Sequence, residues 1–237
     1  LARAVSQRGH LGVVSSTGLD TVLARRLQLG DIGGHLRRAF DAFPIREVAE
    51  SVWEKYFVEG GKAPDAPFKS KPMPNVKPGR ALLDLLVIAN FVEVYLAKAG
   101  HEGKVGINLL EKIQVPTIPS LYGAMLAGVD YVLIGAGIPR QIPDILDRLS
   151  RGEQAELVLD VAGAGTGEEF TTTFDPGIFR VGTLPRPKFL AIISSTVLAM
   201  TLARKCTGVD GFVVEGATAG GHNAPPRGAM QLNEFAL

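Results

Sequence analysis

One histidine, His222, follows a run of very small residues, Ala219-Gly220-Gly221, and the chemistry such an arrangement offers is proton transfer. Imidazole is the side chain that exchanges a proton near neutral pH. Glycines ahead of it remove side-chain bulk, so that backbone can approach a flat or charged ligand closely. Phe212, Val213 and Val214 are β-formers in an apolar run, which predicts a buried strand over 211–215 that ends in this loop. The alternative for a bare Gly-Gly-His is a tight turn carrying an exposed histidine. The other histidines, His10, His35 and His101, lie far apart in sequence, and no metal site is expected.

A second polar residue stands inside an apolar run. Asn108 interrupts Val105-Gly-Ile-Asn-Leu-Leu110, and an amide within a buried strand must find hydrogen bonds, either in an internal network or on a cofactor ring. The ends of other apolar runs carry Ser15, Ser16 and Thr17; Ala136 and Gly137; and Ser194, Ser195 and Thr196. Apart from Glu215 and His222 this set is small and uncharged. It suits a flat aromatic cofactor held by amide and hydroxyl groups. It suits phosphoryl transfer poorly, because it offers no carboxylate pair for Mg²⁺. Glu215 is assigned a structural role, such as a salt bridge to Arg227 or a cap on the loop. The cluster Gly163-Ala-Gly-Thr-Gly167 is not read as a dinucleotide fingerprint, since a threonine-rich β pattern follows where a helix is required.

The elements that must position these residues alternate. Strands are expected over 11–16, 104–110, 130–135, 156–162, 188–195 and 211–215. Helices are expected over 81–99, 120–127 and 196–205, with a further helix opening at Pro143. Asp20 is the expected N-cap of a helix over 21–29, and Ile45, Val48, Ala49, Val52, Trp53 and Tyr56 form a helical apolar stripe. Residues 168–174 read as the second arm of a hairpin inserted on the main scaffold. Strand and helix in alternation imply right-handed βαβ units and a parallel sheet, whose carboxyl end gathers the ligands. Residues 60–80 hold five prolines and the lysines Lys62, Lys69, Lys71 and Lys77. They read as a solvated connector, or as a lid or partner-binding loop.

Composition narrows the classes. The 237 residues fit one large α/β domain or two small ones, and 46% hydrophobic residues suffice for a substantial core. A formal charge of +1 gives no case for nucleic acid or an anionic membrane as partner. The apolar stretch 81–97 is broken by Asp84, Asn90 and Glu93, so it is read as a buried helix and not as a membrane span. The single Cys206 excludes an internal disulfide and fits packing in a reducing, cytoplasmic setting. Both termini are abrupt, as in a fragment.

Several of these motifs, in this order, resemble the nitronate monooxygenase family (formerly 2-nitropropane dioxygenases), which are FMN-dependent TIM barrels. The matching pieces are residues 1–16, Val105–Leu110, 115–139 and 209–228. The resemblance implies a (β/α)8 barrel fold in a single flavin-binding domain over 1–237. Within it, 33–100 is a helical and loop insertion, and a β-hairpin is inserted near 156–180. Roughly five of eight strands would be present, without the first and the last two, which include the grip on the FMN phosphate. A polypeptide of these 237 residues would then bind FMN weakly or fail to close as a barrel. The resemblance further implies that His222 is the catalytic base, that Asn108 contacts the flavin, and that Gly220 and Gly221 let flavin and substrate approach. Ser15, Ser16 and Ala219 complete the expected cofactor contacts. The implied reaction is oxidation of alkyl nitronates with O₂. The alternative is an FMN-dependent enoyl-thioester reductase using NAD(P)H, for which the 60–80 loop could meet an acidic carrier protein; a non-catalytic ligand-binding barrel is a third possibility.

Overall fold

Apolar β-forming runs separated by helices pair here in the order in which they are synthesised. A computed structural model describes residues 1–165, 167–216 and 219–220. Its strands are β1 (Gly12–Ser15), β2 (Val105–Leu110), β3 (Tyr131–Gly135), β4 (Ala155–Leu159), β5 (Phe170–Phe174), β6 (Lys188–Ile193) and β7 (Gly211–Val214). Five of them form one sheet in the order β1-β2-β3-β6-β7, with every neighbouring pair parallel. β4 and β5 form the expected hairpin as a separate antiparallel pair. The chain is therefore of mixed α/β class.

The helices are α1 (Ala2–Ser6), α2 (Leu19–Gln28), α3 (His35–Asp41), α4 (Arg46–Tyr56), α5 (Arg80–Lys98), α6 (Thr117–Leu126), α7 (Ile142–Ser150) and α8 (Thr196–Lys205). Two starts differ from expectation. α2 begins behind Gly18, whose left-handed backbone (φ 70°) ends the turn after β1, so Asp20 lies inside the first turn and is not the cap. α6 begins three residues earlier than expected, behind Pro116, because a proline early in a helix forfeits no hydrogen bond. Residues 33–100 divide between two roles. α3 and α4 pack on one another and on α5, and α5 lies in turn against β1, β2 and α6 as part of the layer over the sheet. α5 and α6 pack very closely at Gly123, where an added Cβ would stand 2.1 Å from the Val87 carbonyl oxygen.

The two faces of the sheet have different environments. Alternate residues point to opposite faces, and the register puts Val14, Ile107, Val132 and Phe189 on one face. All four belong to the hydrophobic core formed with the helices. Val13, Ser15, Asn108, Leu133, Leu190 and Val213 occupy the other face, and none of them is in that core. Because the strand order never reverses, right-handed crossovers place the helices on one side only. The second face is thus a largely apolar surface without a helical cover among the described residues.

The amino end of the sheet is fastened by two equivalent aspartates. Asp130 accepts hydrogen bonds from the Val105 N–H (3.0 Å), Lys98 Nζ and Lys104 Nζ (2.8 Å each). Asp210 accepts from the Phe189 N–H (2.7 Å) and from Arg186 (3.0 Å). Both follow Gly-Val, in Gly128-Val129-Asp130 and Gly208-Val209-Asp210, a short repeat that earns its meaning only in the fold. Burial raises the Asp130 pKa, but the bonds from Lys104, Lys98 and Val105 outweigh it and hold the carboxylate below its ordinary range. The hairpin is secured through Tyr122 on α6, whose ring packs on Phe174 and Phe179. Burial pushes the Tyr122 hydroxyl up to about 12, and that hydroxyl has no partner among the described residues.

Candidate functional site at the carboxyl edge of the sheet

Pairing of β1 with β2 sets Ser15 directly opposite Asn108 on the uncovered face. Ser15 is exposed and Asn108 is half-buried. The Asn108 side-chain oxygen is itself buried and accepts no hydrogen bond from the described residues. Such an acceptor is costly to leave empty. Among the described residues no internal network satisfies this oxygen, which leaves Asn108 an acceptor for a ligand donor.

Ser16, one residue on, points the opposite way. Its hydroxyl donates to Asn90 Oδ1 (2.6 Å), whose amide nitrogen donates to the Leu86 carbonyl (2.9 Å). Its backbone N–H donates to the Asn108 carbonyl (2.9 Å), prolonging the β1–β2 ladder. The two serines thus part company. Ser15 joins Asn108 on the open face, and Ser16 ties the strand end to the helix layer. Ser195 has a local task as well: its hydroxyl accepts from the Leu198 N–H and caps α8.

Ala219 and Gly220 lie past the end of β7, exposed, with the Ala219 N–H bonded to the Gly216 carbonyl (3.0 Å) in a turn. β3 and β6 stand between them and the Ser15–Asn108 pair. Glu215 is held through its backbone, which donates to the Ile193 carbonyl (2.8 Å). Gly221, His222 and Arg227 lie outside the described residues, as does Thr218.

One titratable residue at this edge escaped the sequence reading. Glu111 is the first residue after β2, and its N–H donates to the Gly135 carbonyl (2.9 Å). Its carboxylate presses against Gly137, where an added Cβ would stand 1.9 Å from Oε2. Burial raises the Glu111 pKa; a hydrogen bond with Gln114 and the charge of Lys112 pull it down, and Asp160 pushes it further up. Beside it Ala136, buried, has φ 60°, a conformation that costs a non-glycine residue about 1 kcal/mol. The available signal was Gly135-Ala-Gly137 next to the first charge after an apolar strand, but nothing local distinguishes that charge from a solvated one.

Behind the β1–β2 end, on the helix side, lies a cavity of about 260 Å³. Its roof is the 60–80 segment, which is not a solvated connector throughout. The Lys69 N–H donates to Gln28 Oε1 (2.6 Å), and the Lys71 ammonium reaches Asp20 Oδ2 (2.5 Å) with its side chain only 12% exposed.

Compared with protein-family models and with curated proteins, the chain matches none. Among the described residues no group of three or more His, Cys, Asp and Glu side chains could hold a metal ion. No described helix is long and apolar enough to cross a membrane.

Proposed function

We propose that this protein is an FMN-dependent oxidoreductase of the nitronate monooxygenase type, with the five parallel strands forming an arc of a (β/α)8 barrel. The barrel reading rests on the two faces of the sheet. Parallel sheets are covered on both faces. Here one face has helices, the other is largely apolar with Ser15 and Asn108 in one row and Tyr131 and Lys188 in the row before it, and the strand order runs on without a switch point. Closure of such a sheet on itself is the arrangement that buries the second face, and it puts binding groups at the carboxyl ends of the strands.

The observation that carries the functional reading is the unpartnered Asn108 oxygen beside Ser15 on this face. A flat ring with an N–H donor fits it: the ring would lie along apolar Val13, Leu133 and Leu190, and the amide would receive the donor. Bound there, FMN would supply the electron acceptor for oxidation of a nitronate, with O₂ as the final acceptor. The chain's own contributions are orientation and proton transfer. Asn108 and Ser15 fix the ring's polar edge. Ala219, Gly220 and Gly221 keep side chains out of the approach. His222 takes the α-proton from a neutral nitroalkane, or orients an anionic nitronate by a hydrogen bond.

The test is an anaerobic absorbance titration of the FMN-loaded full-length protein, with propionate nitronate and NAD(P)H added separately. Bleaching by nitronate alone is the expected result. Bleaching by NAD(P)H alone would overturn it in favour of an enoyl-thioester reductase. In parallel, His222→Ala is expected to abolish turnover and retain FMN; unchanged turnover would remove His222 from the reaction.

A further inference from the structure

The cavity behind the β1–β2 edge is built from five separate parts of the chain. Ser16 and the start of α2 form one wall, α5 contributes Leu86 and Asn90, and α6 contributes Thr117 and Ser120. Ile113 lies at its mouth, and Lys71, Met73 and Pro74 form the roof. Leu109 and Leu110 at the end of β2 both line the cavity, but Asn108 and Ser15 do not, and its polar groups come from Ser16, the helices and Lys71. Of its lining the flavin reading drew only on Ser16, whose hydroxyl is turned to Asn90.

Its polar groups are unusual for a packing defect. Ser16, Asp20, Asn90, Thr117 and Ser120 are all buried, and Lys71 is nearly so. Empty cavities that persist in cores are lined by apolar side chains, whereas ligand sites combine apolar walls with a few converging polar groups. The volume, about 260 Å³, lies just below the range of about 300–1,000 Å³ for drug-sized ligands, which suits a smaller molecule.

The charges define the ligand. Asp20 and Lys71 neutralise one another, so an ionic ligand would have to take one partner from the other inside the protein. Their hydrogen-bonding capacity is not exhausted. Asp20 Oδ2 contacts the ammonium as an ion pair without accepting an aligned hydrogen bond. The Lys71 ammonium makes one long bond, to the Pro72 carbonyl (3.3 Å), and has three donors. A neutral head group that donates to Asp20 and accepts from Lys71 satisfies both without breaking the pair. Leu86, Leu109, Met73 and Ile113 then receive an aliphatic tail.

We propose that this cavity binds a small neutral amphiphile, a short aliphatic chain ending in a hydroxyl or a primary amide, with residues 69–74 latched over it by Gln28 and Asp20. Gln28 holds the latch from both sides, accepting from the Lys69 N–H and donating to the Lys69 carbonyl at 3.4 Å.

The experiment is calorimetric titration of the full-length protein, with and without FMN, using hexanol, hexanamide, hexanoate and hexylammonium as probes. Hexanol and hexanamide are expected to bind, and each charged analogue to bind at least about tenfold more weakly. Met73→Trp and Ile113→Trp fill the mouth from positions 73% and 42% exposed, where substitution leaves the core intact. Each is expected to raise the Kd for hexanamide at least about tenfold. Lys71→Met leaves Asp20 without its cation and is expected to reverse the preference, so that hexylammonium binds better than hexanamide. The proposal is overturned if neither neutral probe binds, if charged and neutral probes bind alike, or if both tryptophan variants bind as the parent does. Binding seen only in the FMN-loaded protein would merge this cavity with the flavin site and overturn it as a separate one.

Discussion

The two ends of the same parallel sheet are finished in opposite ways. At the amino end, Asp130 and Asp210 each collect a backbone N–H and cationic partners, and Asp130 is held below its ordinary pKa. At the carboxyl end, the Asn108 side-chain oxygen has no partner among the described residues, the Glu111 pKa is raised by burial, and Ala136 adopts a left-handed backbone. One end is satisfied and the other carries uncompensated costs. Stability is concentrated where polar groups are paired. Groups left unpaired in a buried setting are available for a ligand, which is the division of labour expected of parallel α/β sheets.

Substitutions at the two ends should therefore have opposite consequences. The largest effect is expected from Asp130→Asn, which leaves Lys98 and the Val105 N–H without their carboxylate and should cost about 3 kcal/mol in urea unfolding at pH 7. The pH dependence follows from the lowered pKa. Asp130 contributes stability above its unfolded value, about 4, and that contribution is lost as pH falls through the still lower folded value. The variant should accordingly lose stability less steeply on acidification than the parent. Equal acid limbs would show that this cluster does not anchor the sheet.

Asn108→Leu, at the opposite end, should leave stability unchanged or raise it by about 1 kcal/mol, because it removes an unsatisfied acceptor. The same change should weaken FMN binding by about tenfold, measured by fluorescence quenching. A loss of stability as large as that of Asp130→Asn would dissolve the distinction between the ends.

Ala136→Gly relieves a left-handed alanine and should stabilise by up to about 1 kcal/mol, read from the urea midpoint. Glu111→Gln is expected to have the smallest effect, visible in its pH dependence. The folded pKa of Glu111 is raised, so its contribution is fully present below the unfolded value and is lost as pH rises through the folded one. Glutamine removes that decline, and the variant's stability should be flatter than the parent's from about pH 4 towards neutrality. An unchanged slope would place Glu111 in solvent and take it out of the candidate site.

Much of this architecture was legible in the order of residues. The runs Tyr131–Gly135 and 189–193 are apolar throughout, so their strand character and their place inside a parallel sheet follow from local pattern. The hairpin was readable from threonine-rich Phe170–Phe174 after a glycine cluster. The role of residues 60–80 was not. Prolines and lysines look alike in a solvated loop and in a strap, and only the meeting of Lys71 with Asp20, 51 positions earlier, separates them.

The sequence alone determined the alternation of strand and helix, the apolar character of each strand and which polar residues stand at strand ends. These depend on periodicity and propensity, which act over a few neighbouring residues. Tertiary structure alone decided that Ser15 faces Asn108 while Ser16 turns to Asn90, that the Asn108 side-chain oxygen has no partner among the described residues, and that Glu111 abuts Gly137. Ser16 and Asn90 are 74 positions apart, and no local rule couples them. Whether a buried polar atom is satisfied depends on strand register and on which distant segment packs above it, and those are set by burial of the whole chain at once.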